Sequence, residues 1–148
     1  MILYSKKFAE LTLEELYDIL RARQEVFFLE QGVDCEDLDG VDSSCVHMWG
    51  EESGELAGYL RMIPAGIVYE QPSIGRVLTR EPYRRKGLSR RMMKAAIDYM
   101  KLEMGAGEIM ISAQAYLTGY YSEFGFEVVS NEYLDGGIPH YKMLLKIN

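Results

Sequence analysis

Ser73-Ile-Gly-Arg-Val-Leu-Thr-Arg-Glu-Pro-Tyr-Arg-Arg-Lys-Gly-Leu-Ser89, continuing to Met104 as a long amphipathic segment, is the stretch that decides the fold. The apolar run Ile74 to Thr79 reads as a strand. A Pro-Tyr turn follows, then a basic loop containing Gly87, then a helix. Strand, cationic loop and helix start together present several backbone N–H groups to one anion. Charge points the same way. Arg76, Arg80, Arg84, Arg85, Lys86, Arg90, Arg91 and Lys94 are eight of the chain's 16 basic residues, with Glu81 the one acid among them. The segment carries +7 and the remainder −14, within a net charge of −7.

The 148 residues suit one domain with one sizeable core, expected to span 1–148. With 48% hydrophobic and 26% charged residues the chain is globular rather than disordered. Met1-Ile-Leu-Tyr-Ser-Lys-Lys-Phe8 does not read as a secretory signal. No apolar run approaches the roughly 20 residues that span a bilayer. A soluble, cytoplasmic protein is expected, with no membrane partner. Cys35 and Cys45 lie outside any metal-ligand spacing and read as free thiols. The negative net charge argues against general nucleic-acid binding.

Residues 2–8 alternate as a short strand. Thr12-Leu-Glu-Glu15 is a capping box, and Leu13, Leu16, Tyr17, Leu20 and Phe27 continue at helical spacing to about Phe28. Residues 25–42 hold Glu25, Glu30, Asp34, Glu36, Asp37, Asp39 and Asp42 with no Lys or Arg. A calcium loop is not matched, because its first and twelfth positions would be Cys35 and Val46; no metal site is expected. Two readings of this acidic loop stay open: a solvated loop, or an anionic rim that attracts a cationic amine. Cys45 to Glu51 and Glu55 to Ile63 read as a hairpin about Ser53-Gly54. Gln71 to Thr79 is the next strand. The helix after Gly87 carries two adjacent stripes, Leu88, Met92, Ala95, Tyr99, Leu102 and Met93, Ile97, Met100, Met104, a breadth that implies packing on a sheet. Glu108 to Gln114 is a strand, Tyr116 to Phe124 a brief helix, and Phe126 to Ser130 a strand. Asp135-Gly-Gly-Ile-Pro-His140 reads as a turn before a closing strand, Tyr141 to Ile147. Three consecutive strands followed by β-α-β-α imply a mixed sheet.

Arg84-Arg-Lys-Gly87-Leu-Ser89, between an apolar strand and a long helix, resembles the [RQ]-x-x-G-x-[GA] loop of the GNAT acyl-CoA-dependent N-acyltransferases. Tyr121-Ser-Glu-Phe-Gly125-Phe126 resembles the same family's Y-x-x-x-G-F signature, and Gln114 stands where the family often has Asn. Arg23-Gln-Glu-Val-Phe27, Glu30-Gln31, Asp37-Leu-Asp-Gly-Val-Asp42, His47, Ala113-Gln-Ala115 and Gly137-Ile-Pro-His140 look like the ElaA-type branch. The resemblance covers essentially the whole chain. It departs at Ser89, where a side chain is expected to cap the helix, at Gln114, and at Gly136, where the branch has an acid.

That resemblance implies an α/β (α+β) fold: one GNAT-like mixed, mostly antiparallel sheet with helices on both faces. A splayed parallel strand pair would form the acyl-CoA site. It implies acetyl-CoA as co-substrate, held by Arg84, Arg85, Lys86, Gly87, Leu88 and Ser89 at its pyrophosphate, by Val77, Leu78 and Thr79 along its pantetheine, and by Gln114. It implies direct attack of a primary amine on the thioester, with Tyr121 as general acid. The general base is open among His47, Glu30 and His140, His47 being preferred by residue type. Glu30, Asp39, His47 and His140 are candidates for holding the acceptor. The expected partner is a small-molecule or peptide amine, with a homodimer as a further candidate. Two rival readings use the same residues: a non-catalytic acyl-CoA sensor, and a nucleic-acid module built on Arg84 to Lys94. Salt-dependent nucleic-acid binding would mark the second; binding of acetyl-CoA without turnover would mark the first.

Overall fold

The computed structural model describes residues 1–33 and 36–147. Strands β1 (Ile2–Lys7), β2 (Val46–Glu52), β3 (Glu55–Ile63) and β4 (Ser73–Thr79) form an antiparallel meander. β5 (Glu108–Gln114) runs parallel to β4, reached by a crossover through helix α2 (Leu88–Glu103). β8 (Ile138–Lys146) lies antiparallel to β5, and β6 (Glu127–Val128) and β7 (Tyr133–Asp135) share its outer edge. The result is one mixed, mostly antiparallel sheet of eight strands.

Helices cover both faces because the strands alternate at period two. On β2, Met48 points to the larger core beneath α2, together with Leu60, Met62, Met92, Met93, Ile111 and Met143. Its neighbour Trp49 points the other way, into a smaller core with Tyr59, Leu78, Ile19 and Val26 beneath α1 (Leu13–Arg23). α2 buries Leu88, Met92, Met93, Ala96 and Met100. At roughly 1.5–3 kcal/mol for each buried Leu or Met, this helix is a main anchor of the fold. Its first stripe is shorter than read, for Leu102 is exposed.

The capping box of α1 is as read: the Glu15 N–H donates to Thr12 Oγ1 at 3.1 Å and the Thr12 N–H to Glu15 Oε1 at 2.9 Å. The helix then departs from expectation. From Gln24 to Glu30 it continues as a π-helix, with the Gln31 N–H bonded to the Val26 carbonyl at 3.1 Å. Its buried stripe is Ile19, Ala22, Arg23 and Val26 rather than the Leu13, Leu16, Tyr17, Leu20 and Phe27 stripe; Leu13 and Tyr17 are exposed, and Phe27 packs half-buried against the smaller core. The brief helix after β5 is a 3-10 turn (Ala115–Leu117) leading into α3 (Thr118–Ser122). Asp135 to His140 is a hairpin rather than a plain turn. Gly136 and Gly137 both have positive φ (59° and 77°), which joins β7 to β8 with the twist that two-residue hairpins need. The Asp-Gly-Gly sequence was the available signal for it. Cys45 is a buried free thiol; Cys35 lies outside the described residues, as does Asp34 of the acidic run.

The sheet opens between β4 and β5. The two strands pair at Ser73 and Met110 and then diverge, so β4 from Gly75 to Thr79 has β3 on one side and a gap on the other. A bulge produces this. Arg61 on β3 pairs with Gly75 while Tyr59 pairs with Leu78, which leaves one extra residue on β4. Arg76 takes a left-handed φ of 52° there. The extra residue inverts the strand's facing: Ile74 packs under α2, whereas Leu78 packs under α1.

Candidate active site

The N-terminus of α2 is built to receive an anion. Gly87 is the N-cap residue with φ 76°, Arg85 two residues earlier has φ 65°, and no side chain caps the helix. The first backbone bond into the helix runs from the Arg91 N–H to the Gly87 carbonyl. The N–H groups from Arg85 to Arg90 thus have no acceptor among the described residues. Adjacent left-handed and right-handed residues turn successive N–H groups to one side, and the helix dipole adds its positive end. A Cβ at Gly87 would meet nothing within 4 Å, so this glycine serves the backbone conformation rather than a tight contact. Ser89 does not cap. Its hydroxyl pairs with that of Tyr120 at 2.7 Å, joining α2 to α3. Cations surround the loop: Arg85, Lys86 and Arg91 are exposed. Arg84 is held by its own Nε–H to the Thr79 carbonyl (2.8 Å) and by Nη2 to Glu30 Oε2 (2.7 Å). Glu30, a candidate base, therefore already serves as the counter-charge of Arg84.

A cleft of about 950 Å³ runs through the opening between β4 and β5. It is lined from both faces of the sheet. Val77 and Tyr121 border it and belong to the α2 side. Ser112, Gln114 and His140 border it from the α1 side, because Ile111 and Ala113 between them point to the α2 core and Gln114 pairs directly with His140. The cleft crosses the sheet. Leu78, expected beside the pantetheine, is buried in the core under α1, and only its backbone lies along the gap. Gln114 lies on the face opposite Tyr121, away from the helix start.

Tyr121 is almost fully buried, edge-on to Tyr120 (5.1 Å between centroids) and to Phe126 (6.2 Å). Burial pushes its phenol well above the ordinary tyrosine range, so it is protonated at neutral pH. His140 is fixed by a 2.7 Å hydrogen bond from Nδ1–H to the Ile138 carbonyl. In the neutral ring that bond leaves the lone pair on Nε2, which has no protein partner among the described residues. His47, preferred from sequence as the base, is ruled out by its surroundings. It is fully buried, its Nε2–H donates to the Asp42 carbonyl (2.9 Å), and its Nδ1 accepts from the Tyr59 hydroxyl (2.7 Å). Burial also drives its pKa down, against a partial opposing effect of the Asp42 carbonyl, and keeps the ring neutral.

The acidic loop is not simply solvated. Asp37, Asp39 and Asp42 are neutralised by arginines from α1 and the sheet. Arg23, fully buried, binds Asp37 (3.0 Å) and Asp42 (2.8 Å). Arg61 binds Asp39 (2.5 Å) and Asp42 (2.8 Å). Arg76, at the bulge, binds Asp37 (2.8 Å) and Asp39 (3.4 Å). Burial raises the Asp39 carboxyl, but the Arg61 hydrogen bonds and the nearby guanidinium charges outweigh it and hold Asp39 far below the usual carboxylate range. Asp39 is thus a structural partner, not a free acceptor-binding group. The arginines are scattered at positions 23, 61 and 76, which is why a charge count on the loop alone missed them.

A sheet that splits between two parallel strands beside a bare helix start is the architecture of the acyl-CoA-dependent acyltransferases. The chain belongs to the GNAT acetyltransferase family: residues 24–147 match the model of the acetyltransferase (GNAT) domain. It is similar to a UPF0039 protein of Synechocystis sp., 37% identical over 143 residues that cover 96% of this chain and 93% of that one. Among solved structures it resembles an acyl-CoA N-acyltransferase from Pseudomonas aeruginosa, with 35% identity, a TM-score of 0.90, and coverage of 97% and 98% of the two chains. It also resembles ElaA of Escherichia coli, with 28% identity, a TM-score of 0.89, and coverage of 98% and 99%. The protein is an acyltransferase whose family takes its acyl group from acyl-CoA and passes it to an amine. No helix among the described residues is long and apolar enough to cross a membrane.

Proposed function

We propose that this protein is a cytoplasmic, acetyl-CoA-dependent N-acetyltransferase that passes an acetyl group to a primary amine by direct attack. The observation that carries the proposal is the cleft crossing the sheet, with the bare helix start and Tyr121 toward one face and His140 on the other. Acetyl-CoA would rest its pyrophosphate on the N–H groups from Arg85 to Arg90, with Arg84, Arg85 and Lys86 supplying charge. The pantetheine would lie along the open edge of β4 between Val77 and Thr79. A β4 N–H at the gap would stabilise the oxyanion as the amine attacks.

The amine enters from the α1 face. A lysine-like amine has a pKa near 10.4, so only about one molecule in 2,500 is neutral at pH 7. His140 Nε2 takes the proton as the N–C bond forms. The departing sulfur receives one from Tyr121, which burial keeps protonated. A thiol of pKa near 8.5 is a fair leaving group, so the tyrosine contributes roughly 10²-fold at most. Gln114, beside His140, would orient the acceptor, and Glu30 would hold Arg84 toward the pyrophosphate loop.

Isothermal titration with acetyl-CoA, paired with a thiol-release assay over primary amines, tests this. Binding in the micromolar range together with amine-dependent release of CoA is expected. Binding without release for every amine would make the chain a sensor and refute the proposal.

A further inference from the structure

We infer that the acceptor is a primary amine carried on an apolar body, an alkyl- or arylalkylamine, rather than a polyamine. The inference rests on the N-acetyltransferase reading and names its substrate class. It starts from a stripe that the core does not use. Tyr17 and Leu20 recur on α1 at helical spacing, yet the residues that α1 buries are Ile19, Ala22 and Arg23. Tyr17 and Leu20 line the cleft instead. Phe28 from the π-helical segment, Leu38 from the acidic loop, Val68 from the segment before β4 and Tyr116 from the turn before α3 line the same cleft. Apart from Leu20, which is half-buried, these side chains are 46% to 75% exposed. Large apolar groups from four separate segments, left in water around one opening, mark a surface that an apolar ligand covers.

Charge argues in the same direction. The cleft is lined by Arg21, Arg23, Arg61 and Arg76 and by Glu36, Asp37, Asp39 and Asp135, so its formal charge is zero. Arg23, Arg61, Arg76, Asp37 and Asp39 are tied up in the loop network. Arg21, Glu36 and Asp135 have no ion pair among the described residues. Two acids and one base suit a single ammonium group. They offer no counter-charge for the second and third charges of a polyamine, which the cleft would have to desolvate unpaired.

The test is thiol release with acetyl-CoA and a series of n-butylamine, n-hexylamine, 2-phenylethylamine, putrescine and spermidine. Burial of a methylene is worth about fourfold, so two of them should raise kcat/KM about 15-fold from butylamine to hexylamine. Phenylethylamine should match hexylamine, and both polyamines should fall below butylamine. Leu38→Asp and Val68→Asp, on two different loops, should each flatten the hexylamine-to-butylamine ratio while the acetyl-CoA Kd from titration stays within about twofold. Polyamines as the best substrates, or no chain-length effect, would overturn the inference and leave N-acetyl transfer standing. Failure with every amine, despite acetyl-CoA binding, would overturn both. A further arm replaces acetyl-CoA with octanoyl-CoA. If octanoyl-CoA is the better donor and Val68→Asp removes that advantage, the apolar mouth serves the acyl chain and the inference fails.

Discussion

Replacing Asp42 with alanine separates a structural lock from a solvated loop. Asp42 Oδ1 accepts from Arg23 Nη1 and Arg61 Nη1, both at 2.8 Å, and both arginines are buried. Removing one partner from a buried ion pair costs about 3–5 kcal/mol, because the other charge is left without compensation. Arg23 keeps Asp37 and Arg61 keeps Asp39, so the lower end applies, about 3 kcal/mol. For a domain of this size that lowers Tm by roughly 6–12 °C. The comparison is Glu123→Ala, which removes the exposed pair with Arg90 and should leave stability nearly unchanged. Urea unfolding followed by the fluorescence of Trp49, the single tryptophan, reads both variants, since this side chain is buried beneath α1. The pH dependence adds a second check. Burial raises the Asp42 carboxyl, but the hydrogen bond and charge of Arg23, with those of Arg61, outweigh it and depress the pKa. A depressed carboxylate contributes stability that is present above the unfolded pKa of about 3.9 and is lost as pH falls through the folded value. The gap between wild type and Asp42→Ala should therefore be full near neutrality and close below about pH 4. Equal urea midpoints for Asp42→Ala and Glu123→Ala at pH 7 would refute the lock. The freed loop should also lower kcat/KM for the amine while leaving acetyl-CoA binding intact.

Other substitutions probe the chemistry. Tyr121→Phe keeps the ring packed between Tyr120 and Phe126, so kcat should fall up to about 100-fold with the acetyl-CoA Kd unchanged; an unaltered kcat, measured by thiol release, removes Tyr121 from the reaction. His140→Gln should cut kcat/KM for the amine about 10²-fold with the acetyl-CoA Kd unchanged, and an unaltered kcat/KM would assign the base elsewhere. Gly87→Ala has room for its methyl but not a favourable φ, so it should cost about 1–2 kcal/mol of stability and weaken acetyl-CoA binding severalfold by titration. Gly58→Val would drive side-chain atoms against Leu88, Met92 and the Leu78 carbonyl, all within 3.1 Å of a Cβ there; thermal unfolding should show a loss of about 2 kcal/mol or more.

Much was legible in the residues because it is local. Period-two and period-3.6 patterns located most of the strands and the main helices, the capping box at Thr12 needed only four residues, and the loop from Arg84 to Ser89 announced an anion site within one turn of its helix. The family was readable for the same reason. What stayed hidden depends on pairs far apart in sequence. Nothing near Asp37, Asp39 or Asp42 says that Arg23, Arg61 and Arg76 will meet them, and so an arginine-bound lock read as either a solvated loop or an acidic rim. On a one-dimensional view His47 is the preferred base and His140 the lesser candidate. The fold buries the first between Tyr59 and Asp42 and leaves the second with a nitrogen open to the cleft. The stripe on α1 was correctly seen as apolar, but its destination was misjudged, because an amphipathic pattern specifies a face and not what covers it. The stretch from Ser73 to Ser89 shows the division in one place. Its sequence determined a strand, a cationic loop and a helix start. The one-residue bulge at Gly75–Arg76, which inverts the strand and opens the sheet into a cleft, exists only through register with β3, and register is a property of two strands rather than one.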